Sequence, residues 1–495
     1  MSNSVDTGLH HSKLLRAIAE RLASRVLPQL QSPETVEDIK FAQLVLEYLA
    51  TDLDLVPDLL EDLRQPYRQA LQNVIEVHPD RNAAIGYARD FDAIAPQKGL
   101  SAQREIAALR DLAGRLIRDL SDMGALEGEV KAAVQTLGEL DLRWLRAYQT
   151  GVEARTASPK ASSEKAGPVG DLSTQSITQY LRSVFPQAPD LEVVQAVTVP
   201  GGKSKRTIAL TLTNSAQLPA ELIMRQDLVL KYAARSVVNE VKPLTQLSAA
   251  GLPVATPLYC EPDVSELGGP FYLMEKLNGA PIGDFYGPSQ SCPGTVVEIA
   301  RQFAKLHSLP PATVGFEDVD ADPRALVRNR IEEYWDIWRE NTTRGSALVD
   351  YAFAWAREVI AKPYQGRPVI VHGDAGGFNW LVEDDQLCAI LDWEFMHLGD
   401  PAEDLGVIRP FVEVAMPWQE FMAIYLEAGG PQVPEERIVL ADLLQWLKGT
   451  TLVAMSARAY LEGATDDYMK GVNSFAGLRK IEMKIASMLT RYLGD

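Results

Sequence analysis

The sequence predicts an α+β chain led by an all-α helical bundle, on three observations. Residues 13–155 carry helical periodicity almost throughout, with very little strand signal. Residues 191–277 alternate in β fashion around one helical stretch, and helical patterns return from Pro293, interrupted by a few short β-type runs. Strands and helices in segregated blocks argue for an α+β lobe rather than a βαβ repeat.

Taken in order, Leu14, Leu15, Ile18, Leu22, Val26 and Leu27 form one apolar stripe, and Ile39, Leu44, Val45, Tyr48 and Leu49 a second. The second follows the helix-starting Ser32-Pro33-Glu34. With the runs 106–120 and 130–149 this makes a bundle of about five helices, and no chemistry is visible in it. The domain reading is residues 1–154 as the bundle and 155–171 as a Ser-, Ala-, Lys-, Pro- and Gly-rich linker. Residues 172–280 follow as a small β-rich lobe and 281–495 as a helical lobe. In the small lobe a helix starts near Ser173, strands run over 191–199, 206–213 and 221–227, and the last two pair as an antiparallel hairpin. A helix over 234–251 and a strand over 268–277 complete it.

Composition narrows the function classes. The chain has 495 residues, 46% hydrophobic and 23% charged, in the range of an ordinary globular protein. With 67 acidic against 48 basic residues the net charge is −19, which opposes non-specific binding to nucleic acid or to anionic lipid. Cys260, Cys292 and Cys388 show no paired spacing, so neither a disulfide framework nor a zinc knuckle is expected. Arg16, Glu20, Arg21 and Arg25 break the first apolar stripe, so no secretory leader is read there. No run of about 18 apolar residues is seen, and the expectation is a cytoplasmic protein with no nucleic-acid and no membrane partner.

The densest cluster of ionisable and amide side chains lies between Val371 and Gly406. An apolar strand, Val369 to Val371, delivers His372-Gly373-Asp374; Asn379 follows five residues after Asp374, and a second apolar strand ends in Asp392. Phosphoryl transfer needs these parts. One carboxylate orients the acceptor hydroxyl and takes its proton, while an Asn and another Asp hold the Mg2+ that neutralises the phosphates of ATP.

The pattern H-G-D-x-x-x-x-N, then I-L-D-W-E and G-D-P-x-x-D-L, resembles the aminoglycoside phosphotransferase-like kinases, a small-molecule branch of the protein-kinase-like fold. The resemblance covers roughly residues 175–495 and implies a bilobal fold with a β-rich N-lobe and a helical C-lobe. It makes Asp374 the catalytic base, Asn379 and Asp392 the magnesium ligands, and His372 a support of the catalytic loop. Asp404 would hydrogen-bond that loop, with Asp400 helping. Gly201, Gly202, Lys203 and Ser204 sit where such a lobe folds a turn over phosphates, with Lys205 and Arg206 adding charge. The Gly202-Lys203-Ser204 sequence is not a P-loop, because the required upstream glycine position is Val197. Arg225 stands where the family usually has Lys, with Glu240 as its helix partner; an Arg keeps the charge and changes the geometry. Met274, Glu275 and Leu277 fall in the segment resembling the hinge that meets adenine.

Three features keep a structural and a functional reading side by side. Tyr334, Trp335 and Trp338 could cage an acceptor or pack as core; His307 and His397 read as structural histidines rather than zinc ligands; and Asp384-Asp385 reads as a solvated turn. The wording around Asp392, with the glycine turn and the hinge, is similar to kinases associated with acyl-CoA dehydrogenases, which are implicated in phosphorylating hydroxyacyl-CoA thioesters. That implies a hydroxylated small-molecule substrate, a CoA thioester or related hydroxy acid. An amino alcohol, sugar or aminoglycoside acceptor, or a nucleotide-binding scaffold without activity, are the alternatives.

Overall fold

The computed structural model describes residues 7–30, 33–94, 102–153, 172–199, 205–215, 218–227, 236–284, 287–316, 322–343, 345–363, 366–463 and 468–493. Helices come first: α1 (Thr7–Arg21), α2 (Pro33–Glu76), α3 (Arg81–Ala93), α4 (Ala102–Asp122), α5 (Gly128–Glu153) and α6 (Thr174–Val184). Then follow β1 (Glu192–Thr198), β2 (Lys205–Thr213), β3 (Glu221–Asp227), α7 (Val238–Ala249), β4 (Pro257–Glu261) and β5 (Phe271–Glu275). Two short strands, β6 (Gly283–Asp284) and β7 (Gly287–Pro288), precede α8 (Pro293–Ser308), α9 (Pro323–Asn341) and α10 (Ala347–Ala361). The chain continues through β8 (Val369–Val371), β9 (Trp380–Glu383), β10 (Gln386–Ile390) and β11 (His397–Gly399). It ends in α11 (Ala402–Glu413), α12 (Trp418–Glu427), α13 (Glu435–Leu461) and α14 (Tyr468–Leu493).

The chain divides into two compact units. One takes residues 1–162, 328–363 and 443–495, the other 163–327 and 364–442. This departs from the boundaries expected from sequence, because 328–363 and 443–495 group with the N-terminal helices and not with a C-terminal lobe. The cause is visible in α10. Ala347, Val349, Ala352, Phe353, Ala356 and Ile360 are all fully buried, so this helix is apolar around its circumference and needs neighbours on every side. It finds them in α4, α5 and α14. Leu63, Tyr67 and Leu71 of α2 and Leu109, Leu112, Leu116 and Leu120 of α4 recur at helical spacing and are buried in the same unit. Trp335 and Trp338 belong to it as well, both buried, with Trp338 Nε1 donating to Asp350 at 3.0 Å. They are core and do not form an acceptor cage.

The second unit carries a five-stranded antiparallel sheet in the order β1-β2-β3-β5-β4. Alternation sets its faces. Leu222, Met224 and Gln226 of β3 point to one buried side, where Leu222 and Met224 pack with Ile208, Leu210, Phe271, Leu273 and α6 residues Ile177 and Leu181. Ser173 caps α6 by accepting from Ser176 N at 3.0 Å, as the sequence expects. The helices after β5 share a separate core built from Val296, Ile299, Phe303, Trp380, Trp393, Leu405, Ile408 and Phe421. A small antiparallel sheet followed by helices is the α+β kinase-like arrangement expected for this part. The strand β11, which pairs with β8, carried no sequence signal.

Among the described residues, one helix, α13, is long and apolar enough by length and composition to cross a membrane, a segment the sequence reading passed over. Most of that window is buried inside the protein, as in a core helix.

Candidate active site

Strand β8 ends in His372, and the chain turns sharply at Gly373, whose φ of +79° suits glycine. A Cβ there would meet the Phe395 carbonyl oxygen at 2.5 Å. The turn is held from below by Asp404 near the start of α11. Its carboxylate is fully buried and accepts from His372 N at 2.8 Å, Gly373 N at 2.9 Å and His307 Nε2 at 3.0 Å. His307 in turn meets the Tyr425 hydroxyl through Nδ1 at 2.7 Å, which makes it a structural histidine. The His372 ring lies against Trp393, centroids 4.4 Å apart. Its Nε2 faces the Leu391 carbonyl at 2.9 Å and its Nδ1 faces the Asp374 amide at 3.2 Å. A carbonyl only accepts and an amide only donates, so the ring is fixed as the neutral Nε2–H tautomer. His372 therefore ties the Asp374 turn to the strand end that leads into Asp392.

Asp374 is half-buried on the resulting loop. Asn379, in a 3-10 turn, donates its Nδ2 to the Asp374 carbonyl at 2.9 Å and to Asp374 Oδ2 at 3.2 Å. Both contacts are oxygens, so the amide nitrogen faces Asp374 and the amide oxygen is turned elsewhere. Asn379 O also accepts from Leu391 N at 2.8 Å, which sets Asn379 beside the segment entering Asp392. Asp392 itself has φ 64° and ψ 65°, a left-handed backbone that Asp tolerates better than most residues. Such conformations gather at functional sites.

The sheet supplies the cationic partner. Arg225 on β3 pairs in register with Tyr272 on β5, so the two side chains share a face opposite the Met224 side. Arg225 Nη2 bonds Asp392 Oδ1 at 2.5 Å, and its Nε lies 3.4 Å from Glu240 Oε2. Tyr272 donates to the same Glu240 oxygen at 3.1 Å. Burial pushes the Glu240 carboxyl up to about 7; Arg225 pulls it down and the nearby Asp392 charge pushes it up again. The same pair of carboxylates, against the effect of burial, holds the Arg225 proton more tightly than usual. The start of α7 is pinned by Asp227, which accepts from Lys205 Nζ at 2.7 Å, Ser236 Oγ at 2.6 Å and Val237 N at 3.0 Å. Lys205 is thus engaged in an ion pair rather than presented to a phosphate.

Other expected residues are placed less directly. Gly201, Gly202, Lys203 and Ser204 lie outside the described residues, although β1 and β2 on either side pair antiparallel as a phosphate turn requires. Met274 and Glu275 end β5, with Met274 opposite Ile223 and Pro257, and Leu277 follows. Beyond it Ala280 and Val382 exchange two backbone hydrogen bonds, of 2.9 and 3.1 Å, tying this segment to the strand after Asn379. Asp400 is engaged at the start of α11: it accepts from Ala402 N at 2.9 Å and pairs with Arg437. Asp385 is more than a solvated turn. It reaches Gly294 N at 2.8 Å and Thr295 N at 2.9 Å and caps α8 across 91 and 90 residues. Tyr272 and the His307–Asp404 pair went unassigned or only half-assigned in the sequence; strand register was the one signal that could have found Tyr272.

Residues 195–439 match the phosphotransferase enzyme family. This part of the chain belongs to that family. Viomycin phosphotransferase of Streptomyces vinaceus is 26% identical over 222 residues, covering 42% of this chain and 69% of the relative. Acyl-CoA dehydrogenase family member 10 of Mus musculus is 28% identical over 185 residues, 35% of this chain and 16% of the relative. The chain spans less than a quarter of the length of the acyl-CoA dehydrogenase family relatives it matches first. The macrolide 2'-phosphotransferase MphH structure from Brachybacterium faecium aligns with a TM-score of 0.41 at 20% identity, covering 60% of this chain and 98% of that one. As a phosphotransferase-family domain, residues 195–439 hold every side chain of the cluster around Asp374, Asp392 and Arg225.

Proposed function

We propose that the chain is an ATP- and Mg2+-dependent phosphotransferase that moves the γ-phosphate to a hydroxyl of a hydroxyacyl-CoA or related hydroxy acid, in the cytoplasm. The observation that carries the reaction class is the convergence of Asp374, Asn379 and Asp392 with the Arg225–Glu240 pair. The donor set suits a hard cation. Asn379 turns its amide oxygen away from Asp374, Asp392 is one-third exposed, and Mg2+ takes one or two such protein ligands with water and phosphate completing its shell. When bound there it would neutralise developing phosphate charge.

Asp374 would accept the proton of the acceptor hydroxyl, its Oδ2 steered by Asn379 Nδ2. The acceptor oxygen forms its bond to the γ-phosphorus as the bond to the β–γ bridging oxygen breaks, and ADP leaves; no phosphoenzyme forms. Arg225, already poised between Asp392 and Glu240, would turn its fork to the α- and β-phosphates.

The acyl-CoA acceptor rests on the motif wording and on relatives named for acyl-CoA dehydrogenases. A second reading, an antibiotic or amino-alcohol acceptor, is favoured by the viomycin phosphotransferase match, which covers most of that protein. Incubation with ATP and Mg2+ against a panel of hydroxyacyl-CoAs, hydroxy acids, choline and aminoglycosides separates them, read by phosphoproduct mass. Phosphorylation of cationic acceptors alone would discard the acyl-CoA assignment. Activity that survives Asp374→Ala would discard the site.

A further inference from the structure

Glu240 stands in the first turn of α7, and its backbone is held more firmly than its carboxylate. Asp227, on the same strand as Arg225, pins the start of that helix through Ser236 and Val237. The Glu240 side chain can still rotate, and its two oxygens are unequally held. Oε1 is buried without a hydrogen-bond partner, whereas Oε2 accepts from the Tyr272 hydroxyl at 3.1 Å and lies 3.4 Å from Arg225 Nε. The second distance is longer than a well-made N–H···O bond, and Arg225 Nε is itself buried without a hydrogen-bond partner. Among the described residues, Tyr272 therefore makes the hydrogen bond that orients this carboxylate.

The sheet fixes the tyrosine in turn. β3 and β5 pair Arg225 directly with Tyr272, so ring and guanidinium rise side by side from one face. Tyr272 is 2% exposed and shares a core with Leu244 and Leu247 of α7, which locks the ring and with it the place of the hydroxyl. A donor at this point also favours the ionised carboxylate that a guanidinium needs as its partner. Filling the core does not call for it, since a phenylalanine would occupy the same space without a buried hydroxyl to satisfy.

Arg225 depends on the result. Its shorter contact, Nη2 to Asp392 at 2.5 Å, is to the carboxylate assigned to the cation, so Glu240 is the partner left to it once a cation is held. A lysine would meet Glu240 with a freely turning ammonium, but a planar fork needs its partner oxygen fixed in place. We propose that Tyr272 is a positioning residue for the nucleotide phosphates: its hydroxyl fixes Glu240 Oε2, Glu240 fixes the Arg225 fork, and the fork meets the α- and β-phosphates. This role rests on the phosphotransferase reading and adds to it a residue that no motif marks.

The test is calorimetric binding of a non-hydrolysable ATP analogue with Mg2+ to the full-length protein, with adenosine as the phosphate-free control. Tyr272→Phe should weaken the analogue about fivefold and leave adenosine within about twofold. Glu240→Ala should weaken the analogue about tenfold, and Tyr272→Phe added to it should cost nothing further, because the hydroxyl then has no carboxylate to orient. A hydroxyl that acted through packing alone would cost the same in both backgrounds. Tyr272→Met, which also lacks the donor, takes the place of Tyr272→Phe should that variant not fold. Unchanged analogue affinity in Tyr272→Phe, an equal loss for adenosine, or an equal loss in both backgrounds overturns the role of Tyr272 and leaves the phosphotransferase reading standing. A parent protein that binds no analogue up to about 10 mM overturns both.

Discussion

Two carboxyls in this protein are pushed to the same proton affinity by the same force and do different things. Glu240, in the phosphotransferase unit, and Asp350, in the helical unit, are both buried and both raised to about 7, in each case with burial as the largest cause. Around Asp350 the remaining influences are fixed structure: Arg118 at 3.6 Å and Trp338 Nε1 at 3.0 Å, which pull the carboxyl down, and the like charge of Asp111, which pushes it up. Around Glu240 they are Arg225 and Asp392, and Asp392 is partly open to solvent. A perturbed carboxyl is therefore a weak pointer to a site. The distinguishing feature is a partner that can be shared with something arriving from outside.

The comparison breaks most readily at Asp374. Asp374→Ala should lower turnover about 10² to 10⁴-fold while the circular dichroism spectrum and melting temperature stay near those of the parent. An equal loss of folded protein would reduce the loop to a structural turn. Arg225→Lys should act next most strongly, keeping the charge but losing the fork that spans Asp392 and Glu240. An increase of about tenfold in KM for ATP is expected, with kcat changed less.

Asp350 sharpens the other side. The folded chain holds its proton to about pH 7, whereas the unfolded chain releases it near the ordinary 3.8. The folded state thus binds more protons in that window, and Asp350 makes stability fall as pH rises through it. Asp350→Asn should flatten the decline in unfolding midpoint between about pH 4 and 7 and leave turnover at a fixed pH unchanged. Glu240→Gln should flatten the same window and also alter turnover, which is the difference between the two carboxyls put as a measurement. Last and smallest, Asp385→Ala removes the cap of α8 and should cost about 1 kcal/mol in chemical denaturation, without touching the Asp374 loop.

Much of the candidate site was legible in the sequence because its residues are close along the chain. His372, Asp374, Asn379 and Asp392 fall on one strand–turn–strand stretch, and the polarity of that stretch already stood out. Arg225 and Glu240 are the strand cation and helix carboxylate that a nucleotide site needs, and they converge. The partners of Asp400 and Asp385 were not legible, because Arg437 and the Gly294–Thr295 amides lie tens of residues away. Lys205 looked available for phosphate until Asp227 claimed it.

By itself, the sequence determined where the longer helices and the main strands of the small lobe run and which short stretch carries the reactive groups. Hydrophobic period, turn residues and motif spacing are local properties of a chain. Only the tertiary structure decided that residues 328–363 and 443–495 pack with the N-terminal helices, that Tyr272 and Arg225 share Glu240, and that Arg110 and Arg479 flank Trp144. Periodicity names the buried face of a helix but not the helix that will cover it, and an ion pair or hydrogen bond depends on which distant segments the packed core brings within about 3 Å.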